Sequence, residues 1–427
     1  MDHDALIKLV FQLAIILVAA KVAGEICDRF LKMPAVLGEL AAGIIIGPYA
    51  LGGMDLPVVG ALFPHLAEGG HEGFSIPVSE GLWSIAQVGS IVLLFMAGLE
   101  TNLGQFLKYA RPATIVAVGG VILPFIFGVA LTMAFGYADS MTDGTALFMG
   151  AVMTATSVGI TVRVLGDIKK LISPEGVTIL GAAVLDDVIG ILVLTVVVGI
   201  SATGNISVTS VGWVAFKAFG FWLGLTGIGI LLSKHISNLL GKFRSGGAQV
   251  SLALALGLLA AGMAETAGLA MIIGAFSIGL ALSGTELAHK IDEPLRGIGA
   301  LLVPVFFVVT GMLVDVSTMS GVVVFGLVIT LFAAIGKLIG CGLPSLAVGF
   351  NTRGAMRIGA GMLPRGEVAL IMAGVGITQG VLGQDLYGVA IMMTIITTAV
   401  APPLLAVLFK SDVPRGKARD GGVKGEG

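Results

Sequence analysis

Thirteen stretches of largely apolar residues divide this chain, approximately at 5–26, 34–51, 81–99, 112–135, 145–166, 176–200, 208–233, 248–266, 268–284, 295–314, 320–347, 355–379 and 386–409. About 20 such residues cross the hydrocarbon core of a bilayer as one helix, the form that satisfies its own backbone where water is absent. The fold class that follows is an all-α membrane protein with 13 transmembrane helices. Composition points the same way, with 12% of 427 residues charged against roughly 25% in a soluble domain. The 64 glycines suit helices whose backbones approach closely in lipid.

The charges between spans alternate in sign. Odd-to-even connections carry Arg29 and Lys32, Lys108 and Arg111, Arg163, Lys169 and Lys170, Lys234, Lys242 and Arg244, Lys290 and Arg296, and Arg353 and Arg357. The opposite connections carry Glu68, Glu72, Asp139, Asp143 and Asp385 and no Lys or Arg. By the positive-inside rule the N-terminus is outside and the C-terminus cytoplasmic. The start Met1-Asp2-His3-Asp4 has no basic leader region, so the first stretch reads as a retained span. Span one then starts outside and span eight inside, so spans 1–6 and 8–13 are candidates for inverted six-helix repeats.

The fifth span of each half is interrupted. One reads Thr154-Ala155-Thr156-Ser157-Val158-Gly159, the other Leu363-Pro364-Arg365-Gly366-Glu367. Hydroxyl side chains compete for local backbone groups, and proline removes a donor and clashes with the preceding turn. Matched discontinuous helices point to a midplane site. Asp186 and Asp187 sit in span six with about ten apolar residues on either side. A charge at that depth costs about 2.5–3.5 kcal/mol on insertion scales and usually marks an ion path. Adjacent residues lie about 100° apart round a helix, so the two carboxylates face different neighbours. Lys337, deep in span eleven, is the candidate partner for one of them. Arg365 and Glu367 read as neutralising the half-helix ends at the breaks, or else as lining the route. Glu39 in span two reads as a packing or accessory acid, with ion binding as the second reading. Cys27 and Cys341 offer no disulfide framework or metal cluster.

In these residues the sequence resembles the bacterial cation:proton antiporter-2 family of the sodium/proton antiporter superfamily. The resemblance rests on Thr154 to Thr161, Leu185-Asp186-Asp187, Lys337, and Pro364-Arg365-Gly366-Glu367-Val368-Ala369-Leu370-Ile371. It implies a homodimer in the inner membrane, with a static scaffold and a core that moves as an elevator. The scaffold would take residues 1–105 (spans 1–3) and 241–318 (spans 8–10), and the core 106–202 (spans 4–6) and 319–410 (spans 11–13). Residues 203–240 (span 7) would link them and 411–427 form a cytoplasmic tail. Asp187 corresponds to the principal carboxylate for cation and proton, Asp186 to the partner of Lys337, and Thr156 and Ser157, with Thr154 before them, to the unwound crossing beside the ion. The implied activity is electrogenic exchange of a monovalent cation for protons, with sodium the first reading and lithium or potassium the others.

No cofactor or nucleic-acid partner is expected beyond the transported ions and the lipid. The chain shows no phosphate-binding loop, catalytic triad or zinc set, and its five histidines fall at termini, loops or span ends. It is therefore read as a transporter and not an enzyme. A symporter for an organic solute would need further polar side chains for recognition, and a channel a hydrated path or carbonyl filter.

Overall fold

The computed structural model describes residues 3–31, 33–56, 60–64, 77–203, 208–243, 245–319 and 321–410. Lys32, His65, Glu68, His71, Glu72, Arg244 and the tail 411–427 lie outside them, as does the side chain of Glu367. Fifteen α-helices follow in chain order among the described residues. They are α1 (His3–Ile26), α2 (Ala35–Ile46), α3 (Glu80–Glu100), α4 (Leu103–Ala134), α5 (Gly144–Thr154), α6 (Val158–Asp167), α7 (Pro174–Thr203) and α8 (Val208–Leu240), then α9 (Gly246–Thr266), α10 (Met271–Leu282), α11 (Glu286–Met312), α12 (Val323–Ala347), α13 (Thr352–Gly361), α14 (Glu367–Thr378) and α15 (Gln384–Lys410). A π-helical turn, Cys27–Leu31, extends α1. A short antiparallel pair, β1 (Asp55–Leu56) with β2 (Gly60–Ala61), departs from the all-helical reading in the connection after α2.

Eleven helical segments among the described residues are long and apolar enough to cross a membrane. The chain is a multi-pass helical membrane protein. Two of the thirteen stretches, 268–284 and 355–379, are not among the eleven. At 1.5 Å per residue a twelve-residue helix such as α10 reaches only about 18 Å, short of the ~30 Å hydrocarbon core. The stretch 355–379 is cut into α13 and α14. Hydropathy averages over such breaks because a window of about 20 residues dilutes the few that unwind.

Helix starts follow local chemistry. Asn102, Asp143 and Asn351 cap α4, α5 and α13, each side-chain oxygen accepting a backbone N–H of the first turn. The helices then sort into two packed groups. α3 lies against α10 and α11, and α2 against α1 and α11, while α9 and α8 pack on α10. In the other group α4 packs on α5, α7 and α12, and α15 on α12, α13 and α14. α6 lies between them, touching α7 and α15 on one side and α2 and α3 on the other.

Backbone contact fixes the α4–α12 pair. A Cβ on Gly119 would lie 2.1 Å from the Gly340 carbonyl oxygen, and one on Gly340 would lie 2.5 Å from that of Gly119. Only glycine fits at either position. Lipid offers helices little hydrophobic reason to associate, so close packing of this kind holds them. It also sets Lys337, one turn before Gly340, against Gly120 of α4.

Candidate ion-binding site

Both interrupted helices unwind where the sequence placed the breaks. Residues 155–157 separate α5 from α6, and 362–366 separate α13 from α14. Pro364 and its preceding residue disfavour helix, and the two breaks cross in space. The Ser157 N–H donates to the Pro364 carbonyl at 2.8 Å. The Thr156 hydroxyl donates to the Met362 carbonyl at 3.3 Å, and Thr161 to that of Gly361 at 2.8 Å. Each break thereby satisfies backbone groups that the other leaves without a helical partner. Arg365 is fully buried and its Nη1 donates to the Ala155 carbonyl at 2.5 Å. A cation thus sits at the C-terminal end of α5, where the helix dipole is negative. Thr398 of α15 donates to the Arg365 carbonyl.

Gly366 makes the crossing possible. A Cβ there would lie 2.8 Å from Ser157 Oγ and 3.0 Å from Ser157 Cβ. Gly366→Ala is expected to push the strands of the crossing apart, at about 1–3 kcal/mol for overpacking. Thermal unfolding in detergent should register a modest loss of stability. A transport assay on the same preparation should show a far larger loss.

The carboxylates lie on α7 beside this crossing. Asp186 is 3% exposed and Lys337 0%, and Lys337 Nζ donates to Asp186 Oδ1 at 3.1 Å. Thr156 and Arg365 are close enough to act on the Asp186 carboxylate electrostatically. Asp187, 6% exposed, is turned about 100° from Asp186 round the helix. The Ser157 hydroxyl is buried and makes no hydrogen bond. Thr154, the last residue of α5, donates its hydroxyl to the Ala151 carbonyl at 2.8 Å. The backbone of Glu367 opens α14. So the fold gathers Asp186, Lys337, Thr156, Ser157 and Arg365, with Asp187 adjoining.

The seam between the two groups differs at its ends. At one end a cavity of about 640 Å³ separates α6 from α3 and α11; its walls include Met96, Glu100, Arg163, Asp167, Lys169 and Arg296. At the other end Leu313 and Val314, after α11, meet Leu370 and Ile391 in an apolar cluster that also takes in Ile44, Trp83 and Tyr387.

Several participants escaped the sequence reading. Thr161 entered only as the end of a motif, without a role, and Thr398 looks like any hydroxyl in an apolar helix. Arg163 and Arg357 were read as charges of connections, but lie in α6 and α13. Arg357 is buried, donating to Glu175 of α7 at 2.9 Å and to the Leu408 carbonyl, with Phe409 stacked 4.7 Å away. An arginine near a span end reads as snorkelling to the interface unless its partner is known; spacing does not reveal the partner.

Comparison with known proteins agrees with this architecture. The family described as sodium/hydrogen exchanger, transmembrane, matches residues 14–411. The Na(+)/H(+)-K(+) antiporter GerN of Bacillus cereus is 37% identical over 400 residues, covering 93% of this chain and 96% of GerN. The high-affinity Na(+)/H(+) antiporter NhaS3 of Synechocystis is 37% identical over 421 residues, covering 93% of this chain and 89% of that protein. The solved sodium proton antiporter MjNhaP1 of Methanocaldococcus jannaschii superposes with a TM-score of 0.72 at 16% identity, covering 98% of this chain and 100% of that one. That likeness is one of fold.

Proposed function

Because the chain belongs to the sodium/hydrogen exchanger family, a family of membrane transporters and not enzymes, we propose that it exchanges sodium for protons electrogenically across the inner membrane. The observation that carries the reading is the buried Asp186–Lys337 pair next to Asp187, at the crossing of two broken helices. Asp187 takes a cation or a proton, and either neutralises it. A bare carboxylate moved through a low-dielectric seam costs several kcal/mol, so empty return is suppressed and the two fluxes are coupled. The free oxygen of Ser157 and the hydroxyl of Thr156 supply the hard ligands an alkali cation prefers. Lys337 neutralises Asp186 while protons are bound and gives up its proton when the cation enters, so two protons move against one cation. One net charge per cycle couples transport to the membrane potential at about 2.3 kcal/mol per 100 mV.

Rigid-body movement of one helix group past the other accomplishes the crossing. The moving core is α4–α7 with α12–α15, and the scaffold α1–α3 with α9–α11, joined by α8. Counting α10 and the α13–α14 pair as crossings gives thirteen spans in two inverted repeats, N-terminus outside, working as a homodimer. A site that rides inside the core is consistent with the seam being open at one end and sealed by apolar contact at the other. No cofactor enters this cycle.

Proteoliposomes carrying an imposed pH gradient test it. Sodium is expected to collapse the gradient, faster with an inside-negative or inside-positive potential according to direction, and equally fast at zero potential only if exchange is electroneutral. Proton flux indifferent to every alkali cation would sink the reading. Potassium is the second cation to try, since GerN, at 37% identity, carries it in its name.

A further inference from the structure

We propose that Glu39 is a second proton-binding carboxylate, separate from the ion site, whose protonation releases α6 from α2 and so frees the core to move. The proposal rests on the antiport reading and on movement of the two helix groups past each other. Glu39 lies mid-way along α2, 2% exposed. Its Oε1 faces Arg163 Nη2 of α6 at 3.7 Å, an ion pair that joins the two groups. Its Oε2 has no hydrogen-bond partner.

The two halves of this pair are unequally provided for. Arg163 also holds Asp167 at 3.3 Å within α6, so it keeps a partner wherever α6 goes. Glu39 keeps none of comparable closeness. The charged groups that act on it are Arg163 and Asp167 of α6 and Lys21 of α1; the π-helical turn that also packs on α2 carries Asp28 and Arg29, and α11 and α15, which touch α2 too, contribute no charge. Separation would leave an ionised carboxylate buried alone, and such a group takes up a proton instead of remaining charged. Movement of α6 away from α2 therefore requires Glu39 to be protonated. Arg163 and Asp167 line the seam cavity, which brings water, and protons, to the pair. Ionised Glu39 holds the present arrangement; protonated Glu39 lets it go. The exchange rate should then fall on the alkaline side because Glu39 stays locked to Arg163, independently of what occupies Asp187.

The test is the pH profile of sodium-dependent proton flux in proteoliposomes for wild type, Glu39→Gln, Arg163→Gln, the double variant and Glu39→Asp. Glu39→Gln imitates the protonated state, and Arg163→Gln leaves Glu39 without its cation and hence protonated. Both are expected to move the midpoint of the alkaline limb upward by at least one pH unit, with the apparent KM for sodium at the optimum unchanged. The double variant should add nothing further, and Glu39→Asp should keep the wild-type profile. An active wild type with superimposable profiles for both single variants would overturn the latch while leaving antiport intact. A wild type without cation-dependent flux would overturn both. If Glu39→Gln does not purify as a monodisperse protein, Arg163→Gln against wild type decides alone.

Discussion

Asp187→Asn is expected to reduce sodium-dependent proton flux in proteoliposomes to the level of protein-free vesicles, a loss of at least a hundredfold. The amide matches the carboxyl in shape, so packing around this buried position on α7 should survive. On the proposed cycle, what disappears is the single negative charge for which cation and proton compete. An asparagine neither binds a sodium ion with useful strength nor carries a proton, so the exchanging group is gone although the fold is not. Thermal unfolding in detergent should stay within a few degrees of wild type, because the amide fills the same space and burying a neutral group costs less than burying a charge. Substantial remaining exchange would move the ion to another group.

The second large effect is on the lysine. Lys337→Gln removes the partner of Asp186, whose carboxylate lies 3.1 Å from the ammonium with both side chains buried. Breaking a buried pair by deleting one member costs about 3–5 kcal/mol, since the other charge is stranded. The variant should therefore unfold at a clearly lower temperature and lose its response to membrane potential. Adding Asp186→Asn should recover much of the lost stability, because replacing both members leaves no stranded charge. Potential-driven exchange should not return with it. Unchanged electrogenic exchange in Lys337→Gln would remove the lysine from the cycle.

How much of this could be read in advance depended on contrast. Asp186, Asp187 and Lys337 stand out because a charge amid twenty apolar residues has few innocent explanations. Pro364 announces a break for a reason of covalent geometry, and three hydroxyl residues beside a glycine mark its counterpart. The register of the crossing had no such signature. That the Ser157 N–H meets the Pro364 carbonyl, or that Arg365 reaches the Ala155 carbonyl across 210 positions, depends on helix packing that no local pattern encodes. Arg163 and Arg357 were misplaced for a related reason. Near a span end, an arginine paired inside the protein and one reaching to the headgroups have the same neighbours in sequence. Glu39 was visible as a mid-span acid, but its partner was not. The short α10 and the divided α13–α14 show the limit of averaging hydropathy, which measures how oily a stretch is and not whether its main chain stays coiled.

The touching main chains at Gly119 and Gly340 bear on where discrimination between ions takes place. Two helices in such contact behave as a single girder, because sliding one along the other would drive carbonyl oxygen into α-carbon. The ammonium one turn away is bolted to that girder. Its distance to the acidic partner on α7, itself packed on α4, is set by the same packing. On the proposed cycle, a carrier built this way weighs its passenger once, in a rigid cradle, and needs no second checkpoint at the exit.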